Sequence, residues 1–192
     1  KISAVIAVLI AMLGIGLYIF LRFSRLAYSG GALVALAHDT LFILLLYCIL
    51  PLTGIVPFSL EVDQSFIAAI LTVIGYSIND KVVIFDRIRE FIRNRKGADF
   101  NKQDVFNSAI SSTLSRTFST SLSTLIVLVI IFFFGGETIR GFIFAMLIGV
   151  IVGTYSSIFI AAPFACKYYS AKADEEEEAK RIEKEKRLAE RA

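Results

Sequence analysis

The chain has 192 residues, of which 56% are hydrophobic and only 19% charged, with a formal net charge of +3. Soluble chains of this length carry about a quarter charged residues, so a water-soluble domain and a disordered chain are both excluded. Two cysteines inside apolar runs, no CxxC and a single histidine exclude a disulfide framework, a structural zinc site and a multi-histidine metal centre.

A bilayer core takes about 20 apolar residues as helix. Five stretches qualify in chain order. The first is Ile2 to Phe20, closed by Arg22 and Arg25. The second runs from about Leu33 to Leu52 and ends among Pro51, Gly54 and Pro57. The third runs from Ser65 to about Phe85 and contains Asn79, Asp80 and Lys81. The fourth ends at Phe134, before Gly135-Gly136, and starts as early as Asn107. The fifth runs from about Ile139 to Cys166. Backbone groups inside a membrane must be satisfied within the segment, and none of these runs alternates as barrel strands do, so helices are expected. The predicted fold is all-α: a polytopic membrane helix bundle of five transmembrane helices over residues 1–168, with a charged tail over 169–192.

Lysine and arginine set the orientation. Arg22 and Arg25 follow the first span, six basic residues between Arg87 and Lys102 follow the third, and Lys167 follows the fifth. The opposite loops hold Glu61, Asp63 and Glu137, with Arg140 the single base. The tail is therefore expected in the cytoplasm and the start of the first span outside. A chain rarely begins outside unaided, so an earlier span, with an external domain, is expected before Lys1. The stretch at about 87–103 reads as a basic amphipathic helix on the cytoplasmic surface, with Ile88, Phe91 and Ile92 at helical spacing. The tail pairs Glu176 with Lys180, Glu177 with Arg181 and Glu183 with Arg187 in the favourable i,i+4 order, and reads as a solvated helix.

Ionisable groups inside spans are costly and are functional candidates by default. Asp80 lies about 22 Å along the third span from Ser65, and Arg116 about 27 Å back along the fourth from Phe134, at 1.5 Å per residue. The two spans run in opposite directions, so the two residues share one depth, in the cytoplasmic third of the membrane. Burial disfavours the charged form of a carboxylate, and a nearby guanidinium, which never gives up its proton, favours it. Separating such a pair would take up a proton and joining it would release one. The plainer reading is a static ion pair tying two helices. Thr113, Arg116, Thr117, Thr120 and Thr124 recur at helical spacing and form a hydroxyl-rich stripe able to relay hydrogen bonds. These hydroxyls can also bond back to their own helix. Asn79 points to a different face from Asp80. Lys81 lies near enough to the cytoplasm to snorkel. His38 and Asp39, near the start of the second span, could join a proton path. Gly149 and Gly153 form a GxxxG close-packing surface.

Several of these segments resemble one family. Gly75-Tyr-Ser-Ile-Asn-Asp80, continuing through Asp86-Arg-Ile-Arg-Glu90, is similar to the fourth-span signature of the SecD/SecF family on its SecF side. Leu36-Ala-His-Asp39 resembles the third-span start, and Leu114-Ser-Arg-Thr117 with Thr120-Ser-Leu-Ser-Thr124 the fifth-span motif. Phe134-Gly-Gly136, Gly149 to Ser157 and Ile160-Ala-Ala-Pro163 resemble the last span. The likeness runs from Leu33 to Tyr168 in order. Lys81 departs from it, standing where a small or hydroxyl residue is expected.

The resemblance implies a bundle of the resistance–nodulation–division superfamily, with this chain holding spans two to six of a six-span half. It implies a multi-pass protein of the bacterial inner membrane, its first residues periplasmic and its tail cytoplasmic. The implied activity is auxiliary: the proton motive force helps pull exported chains through at a late stage. The implied partners are SecD, the SecY channel complex, a small accessory subunit, the translocating preprotein and the lipid bilayer; nucleic acid is not among them. The implied relay residues are Asp80 and Arg116, supported by Thr117, Thr120, Thr124, Asn79, His38 and Asp39. No cofactor or metal is implied, the proton being the coupling ion. Two other readings stand beside it: half of a proton-driven exporter of small molecules or lipids, and a scaffold that transports nothing. An enzyme fits poorly, since no nucleophile pair or paired intramembrane aspartates appear at catalytic spacing.

Overall fold

The computed structural model describes residues 2–23, 25–94 and 101–170, and those residues form helices joined by short turns and, over residues 54–63, a longer irregular loop. Helix α1 spans Ile2–Phe23, α2 Leu26–Thr53, α3 Gln64–Asn94, α4 Lys102–Phe134 and α5 Glu137–Ser156. A π-helical turn over Ser157–Ala161 leads directly into α6, Ala162–Tyr168. Four helical stretches, 26–53, 64–94, 102–134 and 137–168, are long and apolar enough to cross a membrane, and α1 is apolar over Val8–Phe23. The 22 residues of α1 rise about 33 Å, close to the thickness of a hydrocarbon core. The expected all-helical bundle is what the chain forms.

Local chemistry sets the helix ends. The α2 helix stops at Gly54, whose φ of 65° closes the last turn, its amide N–H donating a hydrogen bond to the Pro51 carbonyl. Asp63 Oδ1 accepts from the Phe66 amide at 2.8 Å and so caps the start of α3. The Asn101 side chain does the same for α4, accepting from the Gln103 amide at 3.0 Å. Gly135 and Gly136, the latter at φ 77°, make the tight turn between α4 and α5.

The α3 helix runs through the middle, against α5, α4, α2 and α1. Its closest approach is to α5. A Cβ built on Gly149 would lie 2.2 Å from Val73 Cγ2, and one on Gly153 would lie 2.8 Å from Ser77 Oγ. The GxxxG surface expected from the sequence is thus the seam between α3 and α5.

The stretch expected as a separate surface helix at about 87–103 is divided instead. Residues 87–94 are the last two turns of α3, residues 102 and 103 begin α4, and 95–100 lie outside the described residues. Ile88 and Ile92 are buried against Val105, Phe106 and the α1–α2 junction. Their apolar face is therefore spent on the bundle. The tail beyond Ser170 also lies outside the described residues.

The interior has three layers. At the end rich in arginine, Ile19, Phe23, Tyr28, Phe85, Ile88 and Phe106 form one apolar cluster. At the opposite end, which carries Glu61, Asp63 and Glu137, a second cluster gathers Tyr47, Phe66, Ile70, Val73, Ile143 and Met146. Between them lies a polar layer of Asp39, Ser77, Asp80, Lys81, Thr117, Ser121, Thr154 and Ser156, each no more than 7% exposed.

Candidate functional site

The polar layer is assembled from four helices. Asp39 comes from α2, Ser77, Asp80 and Lys81 from α3, Thr117 and Ser121 from α4, and Thr154 and Ser156 from α5. The glycine seam lets Ser77 and Ser156 approach each other, since any side chain at Gly153 would overlap Ser77.

At its centre lies an ion pair with no solvent contact. Lys81 Nζ is 3.1 Å from Asp39 Oδ2, and the side chains are 0% and 1% exposed. Lys81 also donates to Ser77 Oγ and, at 3.2 Å, to Ser156 Oγ. Ser77 and Ser156 in turn donate to Asp39 Oδ2 at 2.9 and 2.8 Å. An ammonium has three N–H donors and all three are used; a carboxylate oxygen with three donors is saturated. The second Asp39 oxygen lies 3.3 Å from His38 Nδ1, and His38 reaches the surface with a 37% exposed side chain. The expectation that Lys81 snorkels is therefore corrected. Its whole stem and ammonium are inside the bundle, because Asp39 from a different helix supplies the counter-charge that water would otherwise supply.

Asp80 is the neighbour of this cluster and its opposite in satisfaction. It is 4% exposed, yet its Oδ2 is, among the described residues, the buried side-chain polar atom with no hydrogen-bond partner. Thr154 Oγ1 lies 2.6 Å from Ser121 Oγ of α4 and donates to the Val150 carbonyl at 2.8 Å. A pair of hydroxyls thus joins α5 to α4 in the layer that holds Asp80.

The other sequence candidates fall on both sides of the bundle wall. Thr117 is buried at 2%. Arg116 and Thr120 lie on the exposed face of α4, and no ion pair joins Arg116 to Asp80 among the described residues. Thr120 bonds back to the Arg116 and Thr117 carbonyls. Thr124 is half-buried, accepts from Tyr76 at 3.4 Å and donates to the Thr120 carbonyl. Asn79 is exposed. The hydroxyl stripe of α4 is therefore split: Thr113, Thr117 and Ser121 face inward and Arg116 and Thr120 outward. Asp86 and Arg87 sit at the rim, paired with Arg22 at 3.1 Å and with Glu90 at 2.6 Å.

Reasoning from the sequence missed Lys81, Ser77, Ser121, Thr154 and Ser156 as members of the site. Asp39 and Lys81 are 42 residues apart, a separation no helical spacing connects. The signal that was present is the charge itself: one unexpected base at a depth matching one acid of the preceding span.

Residues 1–171 match the family described as "Protein export membrane protein SecD/SecF, C-terminal". The protein translocase subunit SecF of Rhodothermus marinus is 52% identical over 163 residues, which cover 85% of this chain and 51% of that protein. The corresponding subunit of Cereibacter sphaeroides is 44% identical over 159 residues, covering 83% and 46% respectively. A crystal structure of SecDF in a super-membrane-facing form matches with a TM-score of 0.72 at 36% identity, over 92% of this chain and 22% of that chain. The chain spans about half the length of the curated relatives it matches. It belongs to the SecD/SecF family of protein-export membrane proteins.

Proposed function

We propose that this chain is the membrane bundle of an auxiliary protein-export subunit, and that Asp80 carries the proton by which the proton motive force assists late translocation of preproteins across the bacterial inner membrane. The observation that carries the reading is the Asp80 carboxyl, buried with one oxygen unpartnered. A buried anion left so is costly, and the neutral acid is not. The carboxyl can therefore take a proton when the layer is closed and release it when a cation or water meets that oxygen. Thr154 and Ser121 offer hydroxyls that can donate and accept in turn.

In this reading the arginine-rich end of the bundle is cytoplasmic, by the bias of basic residues in short loops. The outward face of α4, with Arg116 and Thr120, meets a partner bundle, and SecD is the partner the family supplies. Arg116 then finds its counter-charge across that contact, on the partner, and not within this chain. The SecY channel complex, a small accessory subunit and the preprotein itself are the further partners. The test is preprotein export into vesicles with and without a proton gradient. Asp80→Asn and Arg116→Met should each abolish the gradient-dependent step while the complex still assembles. Export at the parent rate by Asp80→Asn would end the proposal.

A further inference from the structure

The polar layer holds two carboxylates and one amine, and the geometry decides how they share charge. Asp39 has Lys81, Ser77 and Ser156 on one oxygen and His38 on the other. Asp80 has a bare oxygen and is adjacent in sequence to the amine. From α1, α4 and α6 no charged side chain enters the layer among the described residues, for Arg22 is paired at the rim and Arg116 faces outward. One positive charge therefore serves two acids. We infer that Lys81 is a charge-partitioning residue: by spending its ammonium on Asp39 it keeps that acid ionised and silent, and it leaves Asp80 as the one carboxyl of the layer that exchanges a proton.

The inference rests on the proton-carrying reading of Asp80 and adds what holds Asp80 in its exchangeable state. Lys81 is here a positioning residue, acting on Asp80 through Asp39. Its four-methylene stem is long enough to swing between two acids, and the Asp39 cage decides which one it serves. If the Asp39 charge is removed, the ammonium loses its carboxylate but keeps two serine hydroxyls. A buried ammonium without a counter-charge is strongly disfavoured, so it turns to Asp80. Asp80 then gives up its proton and stays ionised, with the N–H bonds of Lys81 on its formerly bare oxygen. The exchange stops although Asp80 itself is untouched. Removing both charges, as in Asp39→Asn with Lys81→Met, leaves a neutral cage of similar volume and returns Asp80 to the protonated state.

The experiment is infrared spectroscopy of the full-length protein in proteoliposomes at neutral pH, reading the carbonyl stretch of protonated buried carboxyls. Comparison with Asp80→Asn identifies the Asp80 band. We expect that band to be lost in Asp39→Asn and regained in Asp39→Asn/Lys81→Met. We expect Lys81→Met alone to add a second band, absent from the double variant, as Asp39 takes its own proton. Gradient-driven export should follow the Asp80 band, lost in Asp39→Asn and regained in the double variant. Persistence of the Asp80 band in Asp39→Asn, or a double variant no different from Asp39→Asn, overturns the inference. Should Asp39→Asn fail to fold, Lys81→Met decides, since no new Asp39 band would equally overturn it. Full export by Asp80→Asn would remove the functional reading instead, and the pattern of bands would still judge the role of Lys81.

Discussion

Asp39 and Asp80 lie in the same buried layer, both almost wholly sealed from solvent, yet they are held in opposite ways. Asp39 accepts from an ammonium and two serines on one oxygen and lies against a histidine on the other. Asp80 keeps an oxygen with no donor. The difference teaches that burial alone does not decide how an acid is held. A carboxylate whose donors are all in place is a fixed part of the core, whereas one that is buried and incompletely served has less to hold it ionised.

That contrast can be broken by mutation, most severely where both acids go. Asp39→Asn combined with Asp80→Asn strands Lys81 without any carboxylate, and removing the counter-charge of a buried ion costs about 3–5 kcal/mol. Thermal unfolding in detergent should show that loss, and a shift no larger than the sum of two mild single changes would mean Lys81 finds another counter-charge. A smaller effect is expected from Ser156→Ala. It takes a hydrogen bond from Asp39 and another from Lys81 without leaving space for a polar replacement, at about 1–3 kcal/mol by the same measurement. Least of all should change in Asp80→Asn, since the amide matches a protonated acid in charge and size and one oxygen had no donor to forfeit: under about 1 kcal/mol. A stability loss there as large as in the double variant would erase the distinction between the two acids.

The fold was legible because length and apolarity decide it. Twenty-residue apolar runs must become helices in a bilayer, and the Gly149–Gly153 surface declared a close contact before its partner was known. The site was half legible. Asp80 stood out by being charged at depth, and it is buried as expected. The α4 stripe was too wide a reading: Arg116 and Thr117 are neighbours about 100° apart on the helix, and only the packing of α3 and α5 selects which of them turns inward. Lys81 was misjudged for a related reason. Depth alone made it a snorkelling residue, and only the fold shows that α2 delivers Asp39 to its ammonium. Distances along one helix are written in the sequence, whereas meetings between helices are made by tertiary packing.

The wide turn at Ser157–Ala161 has a mechanical consequence. An extra residue per turn advances the phase of everything after it, so Ser156 can face α3 while Ala161 sits where a Cβ on Gly31 of α2 would lie 2.7 Å from its carbonyl oxygen. Straightening this segment to an ordinary pitch with all its residues kept would rotate Ala162 and Ala165 by nearly 100° away from the contacts they now make, whereas deleting one residue from it would restore that pitch and leave them close to their present positions. The bulge thus works as a phase adapter, letting one continuous rod dock on two differently oriented neighbours.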